Sequence, residues 1–240
     1  MISVCMTTYN GERFVEQQIA SILAQLGRGD ELVISDDASV DTTCRRIRTI
    51  HDTRIRLLTH TSHVGLRRNL CTALAAAKGD VIFLADQDDV WLPGKVEHSL
   101  RALSSHELVI TDAQVTDEQL KILYPSLFQT IHVHVGVLRN FFRCTFYGSG
   151  MAMRRSLYEK TLPMPDTDLI LPDWWIGMVA SLTDSIAYIH TSLYLYRRHK
   201  ESLTPVHTRF RWFYSPRSLS QRLASRIIMA YYLLQKWCHL

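Results

Sequence analysis

Short apolar runs alternate with stretches of helical periodicity along the first part of the chain. Runs of four to six apolar residues are typical of buried strands, and apolar residues recurring every three or four positions are typical of helices that bury one face. The predicted strands are 2–6, 31–35, 55–58 and 81–85, and the predicted helices follow Glu12, span 41–50 with Asp41 as the cap, span 66–78, and begin at Pro93. Because alternating β and α elements imply a parallel sheet, we predict an α/β fold with a mostly parallel sheet flanked by helices.

Beyond residue 100 the alternation is less regular. Further strands are predicted at 107–111, 147–153, 185–190 and 193–196, and a further helix starts at Leu171 and continues to Leu182. The stretch 124–146 has no clear periodicity. The composition changes after Pro205, where basic and aromatic residues interleave at helical spacing. We therefore predict one α/β domain over 1–204 and a C-terminal helical extension over 205–240.

Composition narrows the classes of function. With 240 residues and 47% hydrophobic content, the chain can bury one substantial core. Lys and Arg outnumber Asp and Glu by only 27 to 23, a net charge of +4, which argues against a nucleic-acid-binding protein. Five cysteines, odd in number and far apart, indicate neither a disulfide framework nor a zinc site and favour a reducing compartment.

Targeting signals are not evident in this sequence. The apolar start runs directly into polar residues without a basic leader or a cleavage site. An apolar span of about 18 residues, as a transmembrane helix requires, is also missing from the sequence. We therefore expect a cytoplasmic protein whose membrane contact, if it has any, is peripheral.

Polar chemistry is concentrated where three predicted strands end. The segments 7–12, 36–41 and 86–91 follow the first, second and fourth strands, and ligands of open α/β sheets bind beyond the carboxyl ends of the strands. The segment 86–91 has three carboxylates within four positions, which repel one another unless a cation or hydrogen-bond donors neutralise them. Mg²⁺ or Mn²⁺ suits such oxygen ligands together with a phosphate-bearing substrate. The alternative is a solvated acidic turn before the next helix.

These motifs resemble those of the family 2 glycosyltransferases of the GT-A fold. The matching segments are 4–11 (VCMTTYNG), 35–42 (SDDASVDT), 79–80 (GD) and 86–95 (DQDDVWLPGK). Within that family the chain is most similar to rhamnosyltransferase-type enzymes of bacterial O-antigen and capsule assembly, which share the Asp-Gln-Asp-Asp-x-Trp form and a later Asp-Trp-Trp, here at 173–175. The resemblance extends over residues 2–200.

The resemblance implies a donor site with a nucleotide-diphosphate sugar. It assigns Thr7 and Tyr9 to the donor base and makes Asp37 the acceptor of the imide N–H of uracil or thymine. It brings Asp86 close to the ribose and makes Asp88 the ligand of the Mg²⁺ or Mn²⁺ ion that bridges the diphosphate. The alternatives are that Tyr9 packs as a lid on the sheet edge and that Asp37 caps the following helix.

Three further residues have roles that the resemblance and their positions suggest. Asp173 is implied to be the general base of an inverting transfer, with an N-cap beside a packed Trp pair as the alternative. Arg67 opens a predicted helix near the same crevice, where it would contact the diphosphate or remain an ordinary surface charge. His199 would complete the metal shell or be a structural residue.

The C-terminal extension and the substrates leave more than one interpretation open. Basic and aromatic residues after Pro205 favour contact with an anionic membrane surface, as a polyprenyl-linked saccharide acceptor would require, but a helix packed on the core or in a homodimer is equally compatible. The expected sugar is L-rhamnose from dTDP-rhamnose, with UDP-sugars as the alternative. A nucleotidyltransferase is disfavoured because its Gly-rich, Arg-containing first loop is missing. A non-catalytic nucleotide-sugar-binding subunit would be expected to lack Asp88 or Asp173.

Overall fold

A computed structural model describes residues 1–183, 185–200 and 218–237 of the chain. The strands are β1 (Ile2–Thr8), β2 (Glu31–Asp36), β3 (Ile55–Thr59), β4 (Val81–Asp86), β5 (Val90–Trp91), β6 (Leu108–Thr116), β7 (Ile122–Tyr124), β8 (Met151–Arg154) and β9 (Ile186–Arg197). The helices are α1 (Val15–Leu23), α2 (Thr43–Thr49), α3 (Leu66–Ala76), α4 (Lys95–Leu103), α5 (Leu127–Ile131), α6 (Val137–Phe142), α7 (Arg155–Lys160), α8 (Pro172–Ser181) and α9 (Leu219–Trp237). The α/β prediction is confirmed.

The first half of the sheet is parallel, and its strands β1, β2 and β4 are buried. Its strand order is β3-β2-β1-β4, with parallel pairing at each step. Alternate residues of β4 belong to different hydrophobic clusters, with Ile82 and Leu84 in one and Phe83 and Ala85 in the other. Because successive side chains of a strand point to opposite faces, helices cover both sides of this strand. This explains why the predicted strands 2–6, 31–35 and 81–85 consist mostly of apolar residues.

The second half of the sheet is mixed. It continues in the order β4-β8-β6-β9-β5, in which β8 is antiparallel to both neighbours, β6 and β9 are parallel, and β7 pairs with β6. Two predictions need correction here. The separate strands predicted at 185–190 and 193–196 form one strand, β9, and the strand predicted at 147–153 is a 3₁₀ turn at Gly148–Gly150 followed by β8.

Two predicted helix starts are also wrong by two residues. Asp41 accepts the backbone N–H of Thr43 at 2.9 Å, but Thr42 is in the N-cap position and α2 begins at Thr43. The helix predicted to begin at Pro93 is α4, which begins at Lys95 because Gly94 has a left-handed conformation with φ of 87°. A residue with positive φ cannot continue a right-handed helix, and glycine adopts it without a steric penalty.

The C-terminal helix α9 packs one of its faces on the core. Met229 and Leu233 are buried in the same cluster as Trp175 of α8, and the ring centroids of Trp175 and Tyr232 are 6.1 Å apart. The core-packing interpretation is therefore correct for this face. The opposite face exposes an apolar stripe with a helical spacing of three or four residues: Leu219, Leu223, Ile227, Tyr231 and Leu234. Residues 205–217 and 238–240 of the predicted extension lie outside the described residues, and the boundary at residue 204 stays a prediction.

None of the helices in the described ranges combines the length and the hydropathy needed to cross a bilayer.

Candidate active site

The polar strand ends converge on one edge of the sheet. Thr7, near the end of β1, is in register with Ser35 of β2 on one side and with Asp86 of β4 on the other. The carboxyl ends of these parallel strands therefore lie side by side, as expected for a ligand crevice in an open α/β sheet. Thr7 is buried at this junction.

Asp37 organises the loop that precedes α3. Its two carboxylate oxygens accept the backbone N–H groups of Val64 and Gly65 at 2.6 and 2.9 Å, and the Nδ1 atom of His63 lies 3.0 Å from Oδ2. Asp37 is only 2% exposed. The alternative in which Asp37 caps the following helix is wrong, because its partners lie in a different loop. Its contact with a nucleobase stays a prediction.

Tyr9 has an exposed ring at the mouth of the crevice. Its centroid lies 4.6 Å from that of His63. Its backbone is fixed by the amide of Gln87, whose Oε1 accepts the Tyr9 N–H and whose Nε2 donates to the Tyr9 carbonyl, both at 2.9 Å. Gly11 makes room for this amide, since a Cβ atom at Gly11 would lie 2.0 Å from Oε1 of Gln87. The first loop and the acidic loop are thereby locked together.

Arg67 has partners that the sequence did not indicate. Its guanidinium forms ion pairs with Asp166 and with Asp168, the latter at 3.2 Å, in the segment that leads to α8. The side chain of Arg67 is only 10% exposed. The alternative of an ordinary surface charge is therefore wrong, and the predicted diphosphate contact would have to coexist with these two carboxylates.

Asp88 and His199 meet at the centre of the acidic loop. The Nε2 atom of His199 lies 2.8 Å from Oδ2 of Asp88, and the imidazole packs in a tilted arrangement against the ring of Phe14, with the ring centroids 4.8 Å apart. The two candidate metal ligands are thus neighbours although 111 positions separate them in the sequence.

Arg197, the last residue of β9, anchors the acidic loop (residues 86–91) through hydrogen bonds. It is 5% exposed, its Nε donates to the carbonyl of Asp88 at 2.7 Å, and its backbone N–H donates to Oδ1 of Asp89 at 3.1 Å. Its other nitrogens donate to Gln17 and to the carbonyl of Glu118. The guanidinium, with its five donors in a rigid fork, thus fixes the backbone of Asp88, and the backbone N–H of Arg197 fixes the carboxylate of Asp89.

Two carboxyl groups of the loop have raised pKa values. Burial, followed by the charge of Asp88, raises the pKa of Asp86 to about 7, and the charge of Asp173 adds to the effect. Burial and the charge of Asp88 likewise raise the pKa of Asp89 well above its usual range. Crowded carboxylates that lose solvation favour their protonated forms. The site therefore has unfavourable negative charge that a cation would relieve.

The residues fit a divalent cation held together with a ligand phosphate. Oδ2 of Asp89 is buried and lacks a hydrogen-bond partner within the described ranges. Within those ranges no three His, Cys, Asp or Glu side chains converge to enclose an ion. Mg²⁺ and Mn²⁺ in nucleotide sites are usually held by one or two carboxylates plus phosphate oxygens, which Asp88 could provide.

Asp173 lies in the first turn of α8, facing the same crevice. The N-cap residue of α8 is Leu171, so the alternative of Asp173 as the N-cap is wrong, and its Oδ1 accepts the N–H of Trp174 at 2.8 Å. A Cβ atom at Gly148 would lie 3.6 Å from the Cβ atom of Asp173. The same Cβ atom would lie 3.8 Å from Cδ1 of Leu84 on β4, and the charge of Asp173 adds to the rise in the pKa of Asp86, so α8 begins beside the carboxyl end of β4.

Sequence reasoning missed two residues of this site, Gln87 and Lys95. Lys95 is fully buried. Both residues lie inside the motif 86–95, where the available signals were a polar residue between carboxylates and a lysine directly after the Pro-Gly pair. The run Arg197-Arg198-His199 is suited by its chemistry to phosphate or metal, but the guanidinium of Arg197 binds Gln17 and two backbone carbonyls.

The fold and the acidic site at the carboxyl edge of the sheet define a protein of the GT-A class. The chain belongs to glycosyl transferase family 2, because the model of that family matches residues 3–162. It is 32% identical over 108 residues to an Escherichia coli glucosyltransferase, WfgD, named as acting from UDP-Glc on α-D-GlcNAc-diphosphoundecaprenol. It is also 28% identical over 206 residues to an uncharacterised glycosyltransferase of Nostoc.

These relatives are longer than the matched region. The alignments cover 45% and 78% of this chain, but 43% and 63% of WfgD and of the Nostoc protein. The chain therefore corresponds to only a part of each.

Solved structures have the same fold. Staphylococcus aureus TarS 1–349 with UDP-GlcNAc superposes with a TM-score of 0.69 at 18% identity, over 86% of this chain and 61% of TarS. A mannosyltransferase of Pyrobaculum calidifontis with GDP-Man and Mn²⁺ gives 0.62 at 22% identity, over 84% of this chain and 58% of its own. At these identities the likeness is evidence for the fold.

Proposed function

We propose that the chain is an inverting glycosyltransferase that moves a sugar from a pyrimidine nucleoside diphosphate to a hydroxyl group of a saccharide acceptor, with Mg²⁺ or Mn²⁺. The observation that carries the proposal is that Asp88 and Asp173 both act by their charge on Asp86, which is in register with Thr7 at the carboxyl edge of the sheet. A single displacement requires one acidic residue on the donor side, to hold the cation, and one on the acceptor side, to remove the proton from the hydroxyl group.

The pyrimidine preference rests on the first two loops. Asp37 is fixed by the N–H groups of Val64 and Gly65, and the exposed ring of Tyr9 lies beside it. A fixed acceptor beside an aromatic face can bind the imide edge of uracil or thymine and stack on the ring. The motif at 86–91 favours dTDP-rhamnose, whereas the names of WfgD and the TarS complex favour UDP-sugars.

Asp88 would hold the cation, with His199 orienting its carboxylate. A bound divalent cation would neutralise the diphosphate and stabilise the charge that develops on the leaving nucleotide. The residues of the chain keep this arrangement rigid, because Arg197 fixes the backbone of Asp88 and Gln87 ties the loop to Tyr9.

Asp173 would remove the proton from the acceptor hydroxyl. Its place in the first turn of α8, beside the small residue Gly148, leaves room for a sugar ring to approach. Attack from this side, opposite the leaving nucleotide, inverts the anomeric carbon. The neighbouring indoles are fixed by donating to the carbonyls of Asn140 and Thr161, so they stabilise the helix start.

The acceptor is proposed to be a polyprenyl-linked saccharide at a membrane surface. The support is the exposed apolar stripe of α9, with Leu223, Ile227 and Tyr231 each more than half exposed. The name of WfgD, which specifies a diphosphoundecaprenol acceptor, agrees with it. A helix with one face on the core and an apolar opposite face is suited to the lipid headgroup region.

Metal-dependent donor binding tests the proposal. Calorimetric titration of UDP, dTDP and GDP, with and without Mn²⁺, is expected to give pyrimidine binding that requires the ion. Asp88→Ala should abolish the Mn²⁺ dependence while leaving the protein folded, because uncompensated diphosphate and carboxylates repel. Asp80→Ala, which removes an exposed acid paired with the chain terminus, is the matched control.

Three results would contradict the proposal. Equal affinity for GDP would contradict the preference for a pyrimidine nucleobase. Unchanged Mn²⁺-dependent affinity in Asp88→Ala would contradict the role of Asp88 as the metal ligand. Tight donor binding without turnover of dTDP-rhamnose or of any UDP-sugar, over a panel of saccharide acceptors, would instead favour a non-catalytic nucleotide-sugar-binding subunit.

A further inference from the structure

The sequence around α6 has basic residues and no acidic ones. The segment 119–158, which contains α6 and the turns on either side of it, has neither Asp nor Glu. The sequence of α9 has no acidic residue either. A surface with arginines and without carboxylates favours an anionic ligand. The roles proposed above use neither the arginines of α6 nor its exposed apolar residues.

Helix α6 and its C-cap residue Arg143 present an apolar column beside a basic column. Leu138 and Phe142, four positions apart, are 75% and 69% exposed. Arg139 and Arg143, also four positions apart, are exposed as well. Residues at this spacing are neighbours on one face of a helix. Together with His134, these four side chains line an open concavity of about 410 Å³, a volume typical of small-molecule sites.

The shape of this concavity is fixed by contacts with backbone carbonyls. The Nδ1 and Nε2 atoms of His134 lie 3.1 and 3.0 Å from the carbonyl oxygens of His132 and Arg143. Nη2 of Arg143 donates to the carbonyl of Ile131 at 3.2 Å. The loop before α6 and the end of α6 are thereby joined, so the basic column is anchored at one end.

Helix α6 connects the acceptor side of the site to the exposed stripe of α9. The indole N–H of Trp174, the residue after Asp173, donates to a backbone carbonyl of α6 at 3.1 Å. Arg226 of α9 donates to the carbonyl of Phe142 at 2.8 Å. Ile227, the residue after Arg226, belongs to the exposed apolar stripe. The concavity thus lies on the element that joins the start of α8 to the helix proposed to contact the membrane.

We propose that this concavity binds the diphosphate group and the adjoining isoprene units of a polyprenyl-linked acceptor. Arg139 and Arg143 would bind the two phosphates, because guanidinium groups bind phosphate oxygens in pairs. Leu138 and Phe142 would contact the prenyl chain where it leaves the bilayer. The inference rests on the proposed function for the class of acceptor, and it assigns the residues that recognise the lipid part of that acceptor.

Vesicle flotation with the full chain tests this site. Two preparations are compared at equal negative charge: phosphatidylcholine with phosphatidylglycerol, and phosphatidylcholine with undecaprenyl diphosphate. The wild type should bind the second about tenfold more tightly, and Arg139→Gln should reduce this gain about fivefold, the scale expected for one cation near anionic lipid. Leu138→Ser should also reduce the gain, because it removes apolar area that the prenyl chain would cover.

Two matched controls are available on other elements. Arg48→Gln removes an exposed arginine from α2, and Ile122→Ser removes an exposed apolar side chain from β7. Both controls should keep the gain of the wild type. Melting experiments on all four variants should give the temperature of the wild type, because the replaced side chains are exposed.

Other sources of phosphate give different results. Equal binding of the two preparations, or an equal loss on both in Arg139→Gln, would indicate a general headgroup contact and overturn the proposal. A gain that persists in Arg139→Gln would overturn it as well. Inorganic pyrophosphate, titrated by calorimetry, should bind more weakly than the lipid because it has no prenyl chain. Pyrophosphate binding as tight as that of the lipid would assign the concavity to a soluble anion, against the proposal.

The vesicle experiment is separate from the test of the donor site, because it needs neither nucleotide nor cation. Failure of the wild type to bind UDP with Mn²⁺ would refute the proposed donor chemistry. The comparison of the two vesicle preparations would still decide whether α6 binds a prenyl diphosphate.

Discussion

Replacing Asp86 with Asn should stabilise the metal-free protein while damaging the donor site. The pKa of Asp86 is raised from 3.8 to about 7, chiefly by burial and then by the charge of Asp88. A shift of about 3 pKa units corresponds to about 4 kcal/mol, because one unit is worth about 1.4 kcal/mol. An amide of the same size avoids the cost of ionising a poorly solvated carboxyl.

The sign follows from proton linkage. Because the folded-state pKa of Asp86 lies above the unfolded value, the folded state keeps a proton between about pH 4 and pH 7 that the unfolded state has lost. The free energy of unfolding of the wild type therefore falls as the pH rises through that window and stays low above it. Asn does not titrate, so the advantage of the variant grows with pH.

Urea denaturation in EDTA at pH 5 and pH 8 measures the effect. The difference in the free energy of unfolding between Asp86→Asn and the wild type should widen by roughly 3 kcal/mol between the two pH values. Glu97→Gln, which removes an exposed acid paired with Arg101 on α4, controls for general charge effects. Parallel pH profiles for Asp86→Asn and the wild type would refute the reasoning.

Three other outcomes are expected. Asp173→Asn should lower turnover by about 10²-fold or more at unchanged donor affinity, and near-normal turnover would exclude it as the base. Gly177→Ala should lower the free energy of unfolding by about 2 kcal/mol, because overpacking costs of that order follow when a new Cβ atom must displace a buried ring. That Cβ would lie 2.3 Å from a ring carbon of Phe146, so Phe146→Leu in the same chain should restore part of the loss in a melting experiment. Replacing the exposed Ile227 and Tyr231 with Ser should weaken sedimentation with anionic vesicles without lowering the melting temperature, and unchanged binding would contradict membrane contact through α9.

The parallel half of the sheet could be predicted because local signals and tertiary structure agree there. Strands buried on both faces are mostly apolar runs, and this is the pattern of β1, β2 and β4. The remaining strand, β3, lies next to turn signals. The mixed half was less predictable. β9 reads as two segments because His190 and Thr191 interrupt the apolar run at exposed positions, although backbone pairing with β6 continues through a register shift.

The residues of the candidate site were likewise predictable only in part. Asp37, Asp86 and Asp88 were predictable because each lies at the end of a strand or within two residues of it, and strand ends locate ligand crevices in parallel sheets. The partners of Arg197 and of Arg67 were not, since both sets depend on contacts between segments roughly a hundred positions apart. Such pairings are set by how the mixed half of the sheet returns to the first half, which no local pattern encodes.

The C-terminal helix illustrates a limit of reasoning from composition. Basic and aromatic residues at helical spacing fit both a membrane contact and a core contact, and α9 has an apolar face for each. Its buried face, with Met229 and Leu233, stabilises α8, which carries Asp173 in its first turn. Arg226 adds to this contact, because its guanidinium lies 4.5 Å from the ring centroid of Trp174, the residue after Asp173. A change on the exposed face should thus alter membrane contact alone, whereas a change on the buried face should disturb the acceptor side of the site.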